Sequence, residues 1–191
     1  MQRVVSAARA KVKGVSSTLD RTSISRDEVT MQIRLACESD LAAINAIYNH
    51  YVLHSTCTYQ LAPETEDARR AWFQAHGKEH PVTVAEIDGE AVGWASLNRY
   101  HPREAYARTV ENSIYVRHDR QRCGIGRALL ADQIERARQL GHHTILAGIS
   151  AEQTASIALH EAFGFQKAAH LRELGWKQGQ WLDVVFMQLL L

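Results

Sequence analysis

The sequence of 191 residues has few cysteines, no excess of charge and no long hydrophobic run. Its three cysteines, Cys37, Cys57 and Cys123, lack paired spacing, which argues against a disulfide framework and a cysteine zinc site. Lysine and arginine number 22 against 21 acidic residues, so no broad attraction to nucleic acid or an anionic membrane is expected. The apolar stretches are far shorter than the ~20 residues of a membrane-spanning helix. These absences predict a soluble, cytoplasmic protein with neither nucleic acid nor membrane as partner.

Residues 1–30 differ in composition from the rest of the chain. They are rich in Ser, Thr, Arg and Lys, with no aromatic residue and no acid before Asp20. The continuous apolar core of a secretory signal is missing, although the basic, Ser-rich character has some features of a transit peptide. We favour a flexible N-terminal extension, or an upstream start codon with Met31 as the working first residue, because Met31 directly precedes the first strand-like run. The folded domain is therefore placed at 31–191.

From residue 31 the hydrophobic pattern switches repeatedly between strand and helix periods. Asp88-Gly89 marks a tight hairpin, and the last two strands are expected to be separated by a turn at 175–179. The order of elements predicts an α/β (α+β) fold, with a mixed, mainly antiparallel seven-stranded sheet and helices on both faces. Strands are predicted at 32–36, 82–87, 91–97, 108–116, 144–149, 165–171 and 181–189, and helices after the N-caps Ser39 and Thr65, at 124–140 and at 154–163.

The sharpest chemical signal is the junction between a strand ending at Val116 and a helix opened by Gly124 and Gly126. Glycines let main-chain N–H groups approach a ligand, and a helix N-terminus carries partial positive charge, so this turn can bind a pyrophosphate. The alternative is that both glycines only make a tight turn. A dinucleotide fingerprint requires a third glycine where Leu129 stands, and no Gly-Lys-Ser/Thr follows a glycine loop. A phosphate-bearing ligand of another kind remains.

The segment from Gln121 to Gly126, QRCGIG, resembles the Q/R-x-x-G-x-G/A acetyl-CoA loop of the GNAT family of N-acetyltransferases. The resemblance is closest to the phosphinothricin and methionine sulfoximine N-acetyltransferase branch, and it covers 31–191. Four further stretches carry it: YNHYVLHSTCTY at 48–59, TVENSIYV at 109–116, AGISAEQTASIALHEAFGF at 147–165 and GWKQGQWLDVVFMQ at 175–188.

The resemblance implies the residues that bind acetyl-CoA. Gln153 stands where the family usually has an asparagine that bonds the cofactor. The pantetheine arm and acetyl carbonyl would meet the backbone of β-strand residues, and the pyrophosphate would meet main-chain N–H groups of the loop. These residues are Ile114, Tyr115 and Val116 for the first group, and Arg122, Cys123, Gly124, Ile125, Gly126 and Arg127 for the second.

Glu111 is the candidate general base. An amine substrate arrives protonated at neutral pH, and a positioned carboxylate can remove that proton with a gain of about 10²–10⁴-fold. The alternative is an ordinary solvent-facing strand carboxylate, and the family pattern, which has its Glu here, favours catalysis.

His160 stands where related enzymes carry a tyrosine that protonates the leaving thiolate, and histidine can donate a proton near neutral pH. His160 could equally pack within its helix.

The acceptor side is expected to involve the loop before the Glu111 strand. The resemblance places Glu104, Ala105 and Tyr106, together with Glu111, against the acceptor. A free amino acid also carries a carboxylate that an arginine of this loop, at 103 or 108, could grip. Singly, each arginine is more simply a solvated charge. His50, Tyr51 and Thr58 are candidates for the opposite wall.

Neither a metal nor a covalent acyl-enzyme is expected. Among the ten histidines no pair has a metal-ligand spacing such as His-Glu-x-x-His, and the neighbours His142 and His143 point apart. Cys123 has no visible histidine or aspartate pairing, and the family transfers the acetyl group directly, so we interpret it as a spacer.

The sequence thus predicts an acetyl-CoA-dependent N-acetyltransferase acting on a small amino-acid-like amine, by direct attack with Glu111 as base. The resemblance names phosphinothricin, methionine sulfoximine and methionine sulfone as acceptors, and a homodimer as the assembly. Two alternatives stay open. One is acetylation of a polyamine or a protein N-terminus, and the other is a non-catalytic acyl-CoA-binding module, which needs the glycine loop but not Glu111.

Overall fold

A computed structural model describes residues 31–191, so the extension proposed at 1–30 lies outside the described residues. One sheet of seven strands has the order β1-β2-β3-β4-β5-β7-β6, and only the β4–β5 pair is parallel. The predicted fold class is confirmed. The strands are β1 Met31–Leu35, β2 Val82–Ile87, β3 Glu90–Arg99, β4 Thr109–Val116, β5 Thr144–Ser150, β6 Gln166–Lys177 and β7 Gln180–Leu190; the helices are α1 Leu41–His54, α2 Glu66–Ala75, α3 Ile125–Gln139 and α4 Thr154–Glu161, with short 3₁₀ turns at Glu38–Asp40, Glu104–Tyr106 and His118–Arg120.

Two layers of helices cover the sheet because its central strands are apolar on both sides. Successive side chains of a strand point to opposite faces, and Val84 accordingly packs with α1 while its neighbour Ala85 packs with α3. Trp72 and Phe73 bring α2 onto the α1 side. The helices α3 and α4 share the other face, over the core of β4, β5 and β7. No helix within residues 31–191 is long and apolar enough to cross a membrane.

The start of α1 differs from the prediction. Ser39 does not cap the helix, which begins at Leu41 after a 3₁₀ turn. The carboxylate of Asp40 accepts from the N–H of Cys37 at 2.8 Å and from Arg34 of β1, so the chain is held there by an ion pair with the sheet. The second cap is confirmed, since Thr65 Oγ1 accepts from the N–H of Ala68 at 3.1 Å.

The C-terminal hairpin is longer than predicted, and the turn expected at 175–179 is confined to the last two of those residues. Only Gln178 and Gly179 form the turn, both with positive φ (52° and 77°). Gly175 lies within β6, where an added methyl group would overlap the ring of Tyr59. This glycine therefore permits close packing of the chain rather than a reversal.

A cleft opens where β4 and β5 part. The two strands pair only from Thr109 to Glu111 against Thr144 to Leu146, although both continue beyond. Past that point β4 keeps its pairing with β3, and β5 keeps its pairing with β7. The sheet is thereby split into two halves joined at the Glu111 end, and the space between them is the candidate site.

Candidate active site

The cleft between β4 and β5 encloses about 420 Å³. Its long walls are the second half of β4 and the second half of β5, and its far end is closed by the loop before α3 and by the first turns of α3 and α4. The lining includes residues 112–116 and 120–122, Ile125 and Gly126, 147–150, and Gln153, Ser156, Leu159 and His160. Such a groove suits an extended ligand that runs along exposed strand edges.

The edge of β4 presents main-chain groups to the cleft. The N–H of Arg117 donates to the carbonyl of Val92 at 2.8 Å, and alternation along the antiparallel ladder then turns the peptide groups of Ile114 and Val116 away from β3. Tyr51 Oη, on α1, donates to the carbonyl of Val116. The peptide group of Tyr115 faces β3 and not the cleft, because Tyr115 lies opposite Trp94 in the ladder. Its ring stacks on that indole at 4.9 Å between centroids.

The glycine loop is shaped as an anion site. Arg122 and Gly124 both have positive φ, 61° and 81°, and Gly124 is the N-cap of the 15-residue helix α3. The first N–H groups of a helix have no intrahelical partner and carry its positive dipole end, so the turn that begins at Ile125 offers unused donors. Arg120 and Arg122 also line the cleft. A diphosphate fits this combination of donors and positive charge.

Three other predicted residues lie near the loop. Arg127 is the third residue of α3, so its main-chain N–H has no intrahelical partner, and its guanidinium lies 4.9 Å from the ring centre of Phe163. Cys123 is exposed, and its thiol donates to the carbonyl of Gln121 at 3.4 Å. Gln153 is the N-cap of α4 without using its side chain for capping, and it lines the cleft.

Glu111 lies where β4 and β5 separate, next to the residues that line the cleft but not among them, on the face of the sheet that α1 and α2 cover. Its Oε1 lies against Gly148, 3.3 Å from where a methyl group would stand, and Phe186 packs on the same glycine. Burial raises the pKa of this carboxyl. Its main-chain carbonyl accepts from Asn98 Nδ2 at 3.1 Å, and the same amide donates to Ser113 Oγ. The strand is thus fixed while the carboxylate stays available to accept a proton.

His160 is on the opposite face and is only 4% exposed. Its Nδ1 lies 2.8 Å from the carbonyl of Ser156, so Nδ1 carries the hydrogen. Its Nε2 lies 3.0 Å from Asn112 Nδ2 and accepts from that amide. Burial lowers the pKa of the ring. The geometry therefore gives a neutral imidazole with no free N–H, and does not support the proton donation that the resemblance implies.

The structure does not bring Glu104, Ala105 and Tyr106 into the lining of the cleft. They form an exposed 3₁₀ turn in the loop that leads into β4. Tyr106 packs against the rings of Tyr100 and His101, at 5.7 and 4.8 Å between centroids. Any contact with an acceptor would be made from outside the cleft.

The wall that sequence reasoning mostly missed is the strap, defined as residues 55–61. Thr56 Oγ1 donates to Glu152 at 3.0 Å, and the buried Lys177 Nζ donates to the carbonyl of Thr58 at 2.7 Å. Tyr59 lies on Gly175, and Cys57 lines the cleft. The strap therefore ties α1 to the β5–β7 half of the sheet. Of the predicted wall residues, Tyr51 lines the cleft, Thr58 is buried in the strap, and His50 instead stacks on His118 at 4.0 Å.

Within residues 31–191, no group of three or more His, Cys, Asp or Glu side chains is placed to hold a metal ion.

Several known proteins similar to this chain are named as acyltransferases. The Acetyltransferase (GNAT) domain model matches residues 33–186. L-amino acid N-acyltransferase MnaT of Escherichia coli is 41% identical over 160 residues, covering 83% of this chain and 93% of that protein. The L-methionine sulfoximine/L-methionine sulfone acetyltransferase of Salmonella typhimurium is 41% identical over 160 residues, with 83% and 94% covered. The phosphinothricin acetyltransferase of Sinorhizobium meliloti, solved with acetyl-CoA, superposes with a TM-score of 0.82 at 36% identity, covering 85% of this chain and 89% of that one.

Proposed function

This chain belongs to the GNAT family of acetyltransferases and is an acetyl-CoA-dependent N-acetyltransferase, and we propose that its acceptor is the amine of a small amino-acid-like molecule. Phosphinothricin, methionine sulfoximine and methionine sulfone are the leading acceptors. The similarity to enzymes named for these compounds supports the choice. Two exposed arginines on the loop before β4, Arg103 and Arg108, favour an anionic acceptor over a polyamine.

The position of Glu111 carries the proposal. It is the last β4 residue that pairs with β5, so its carboxyl lies where the strands separate and a thioester in the cleft would end. The strap lies on the same face, because Thr58 Oγ1 is 2.9 Å from Tyr48 Oη of α1. A partly buried carboxyl with a raised pKa is better matched to removing a proton near neutral pH than an exposed one.

The cleft fits acetyl-CoA, whose thioester supplies an activated acetyl group when bound. The peptide groups of Ile114 and Val116 would hold the pantetheine arm, with the Gln153 side chain beside them. The start of α3, with Arg120 and Arg122, would hold the pyrophosphate.

In the proposed reaction Glu111 accepts a proton from the substrate ammonium, directly or through a water molecule, and the neutral amine becomes the nucleophile. Attack is direct, so no side chain carries the acetyl group. Cys123 suits this scheme because its thiol is turned to the carbonyl of Gln121 and lies outside the cleft lining.

Thiol release from acetyl-CoA with a panel of amines tests the proposal. We expect release with phosphinothricin, methionine sulfoximine and methionine sulfone, but not with spermidine or a short peptide. Glu111→Gln should abolish release while the exposed Glu135→Gln, on α3, leaves it unchanged. Release with spermidine or peptide alone would contradict the acceptor class. No release with any amine, despite tight acetyl-CoA binding, would favour a non-catalytic acyl-CoA-binding module.

We also propose that the chain is a homodimer through its C-terminal hairpin. The edge strand β6 exposes Leu174 and Trp176, and β7 exposes Trp181. The two indoles form an edge-to-face pair at 5.2 Å, and large apolar side chains exposed at a sheet edge mark a pairing surface. Light scattering after gel filtration should give a dimer for the wild type and a monomer for Trp176→Lys/Trp181→Lys. A wild-type monomer would contradict the proposal.

A cytoplasmic location is also proposed. The three cysteines are free thiols in the described part of the chain, which suits a reducing compartment.

A further inference from the structure

Asn112 is a polar residue of the cleft that neither the resemblance nor the proposed mechanism uses. It follows Glu111 on β4, so its side chain points to the opposite face of the sheet, toward α3 and α4. The residue is 8% exposed and lines the cleft. Its Nδ2 lies 3.0 Å from His160 Nε2 and 3.4 Å from Gln133 Oε1.

Backbone carbonyls at both ends fix the direction of these hydrogen bonds. At one end the carbonyl of Ser156 requires the hydrogen of His160 on Nδ1, so Nε2 has only a lone pair to offer Asn112. At the other end Gln133 Nε2 donates to the carbonyls of Ser96, at 2.8 Å, and Ser113, at 3.3 Å. Its Oε1 is therefore the atom that faces Asn112. Both ends demand that the Asn112 amide nitrogen is the donor.

Both hydrogens of that amide are thus committed to protein acceptors. A carboxamide has two donor hydrogens and one oxygen acceptor, so Oδ1 is what Asn112 has left for the cleft. Asn112 precedes Ile114 by two residues on β4, and the peptide group of Ile114 also faces the cleft. The pantetheine arm carries two amide N–H groups that need acceptors once they leave water.

We propose that Asn112 Oδ1 accepts a hydrogen bond from an amide N–H of the pantetheine arm, and that His160 and Gln133 are positioning residues that hold the carboxamide in this orientation. This inference rests on acetyl-CoA use and deepens the proposed function. His160 is then assigned to holding the donor substrate instead of protonating its leaving thiolate.

Calorimetric binding of CoA, without acceptor, tests the contact. Asn112→Leu should weaken CoA binding about three- to tenfold, the effect of one hydrogen bond. The same variant should bind a CoA analogue with N-methylated pantetheine amides no more weakly than the wild type does. Equal weakening for both ligands, or no weakening for CoA, would overturn the proposal.

A second variant tests the orientation, even if Asn112→Leu folds poorly. In Asn112→Asp one carboxylate oxygen faces His160 Nε2, so the imidazole should become doubly protonated near neutral pH. Ring ¹⁵N shifts should report this change, and CoA binding should persist because an oxygen still faces the cleft. An unchanged His160 ring would refute the hydrogen bond.

Failure of this inference is separable from failure of the proposed function. The Asn112→Leu effect on CoA binding should be the same in a Glu111→Gln background, where turnover is lost. If the amine panel gives no turnover but the Asn112 effect holds, the proposed acetyl transfer fails and the contact between Asn112 and CoA stands.

Discussion

Glu111 and Asn112 are neighbours on β4, yet they present opposite chemistry to the two faces of the sheet. Glu111 lies in a partly buried position, and burial raises the pKa of its carboxyl, with no ion pair from residues 31–191 to lower it again. Asn112 lies in a network in which each nitrogen and oxygen of its neighbours has an assigned role. In our proposal one face therefore moves a proton, and the other holds the acetyl-CoA in place.

Shortening the Glu111 side chain should give the largest effect. Glu111→Asp withdraws the carboxylate by about one methylene, and a displacement of about 1 Å at a reacting group can cost about 10²-fold in rate. We expect kcat to fall by about that factor in steady-state assays, with the calorimetric Kd for CoA unchanged. An equal loss of CoA affinity would contradict the assignment of catalysis to one face and of cofactor binding to the other.

The next largest effect is expected from loosening the strap, which lies on the same face of the sheet as Glu111. Gly175→Ala forces the Tyr59 ring off β6, and such overpacking costs about 1–3 kcal/mol of stability. Chemical denaturation should show this loss, and KM for the acceptor should rise more than KM for acetyl-CoA. Gly77→Ala is the control, because an added methyl group there meets no atom within 4 Å. An equally stable Gly175→Ala variant would contradict this packing.

On the ligand-holding face, Gly124→Ala should act through backbone conformation. An added methyl group has open space, but φ is +81°, and left-handed backbone costs an L-residue about 1–2 kcal/mol. We expect weaker CoA binding by calorimetry, with kcat at saturating acetyl-CoA preserved. A fall in kcat with unchanged CoA affinity would contradict the assignment of this loop to binding.

The smallest effect concerns stability and pH. Burial raises the pKa of Glu111 in the folded protein above its unfolded value, so the charged form is penalised on folding. This penalty is absent below the unfolded pKa and grows as pH rises through the folded one. Glu111→Gln should therefore melt slightly higher than the wild type at neutral pH, with the difference vanishing in acid. A lower melting temperature at neutral pH would contradict the burial argument.

The sequence was sufficient where the signals are local. Hydrophobic alternation located all seven strands, and the spacing of Gly124 and Gly126 located the start of α3 within one residue. Asp88-Gly89 also marked its hairpin, and both residues have positive φ in the structure. Each of these features depends on neighbours within a few positions along the chain.

The sequence was insufficient where contacts between residues far apart in the chain determine the structure. Ser39 has a good capping side chain, but the ion pair of Arg34 with Asp40 fixes where α1 begins. Gly175 resembled a turn residue because nothing nearby reveals that Tyr59 packs on it. The Nε2 atom of His160 is occupied by the amide of Asn112, which is 48 positions away. Long-range partners of this kind cannot be derived from periodicity or motif spacing.

The pH dependence of kcat/KM tests the central claim most directly. If Glu111 is the base, kcat/KM should rise through one ionisation on the acid side, at a pH above the ordinary range of a glutamate because burial raises that pKa. This acid-side rise in kcat/KM should disappear in Glu111→Gln and should remain in Asn112→Leu. An acid limb that persists in Glu111→Gln would contradict the assignment of Glu111 as the general base.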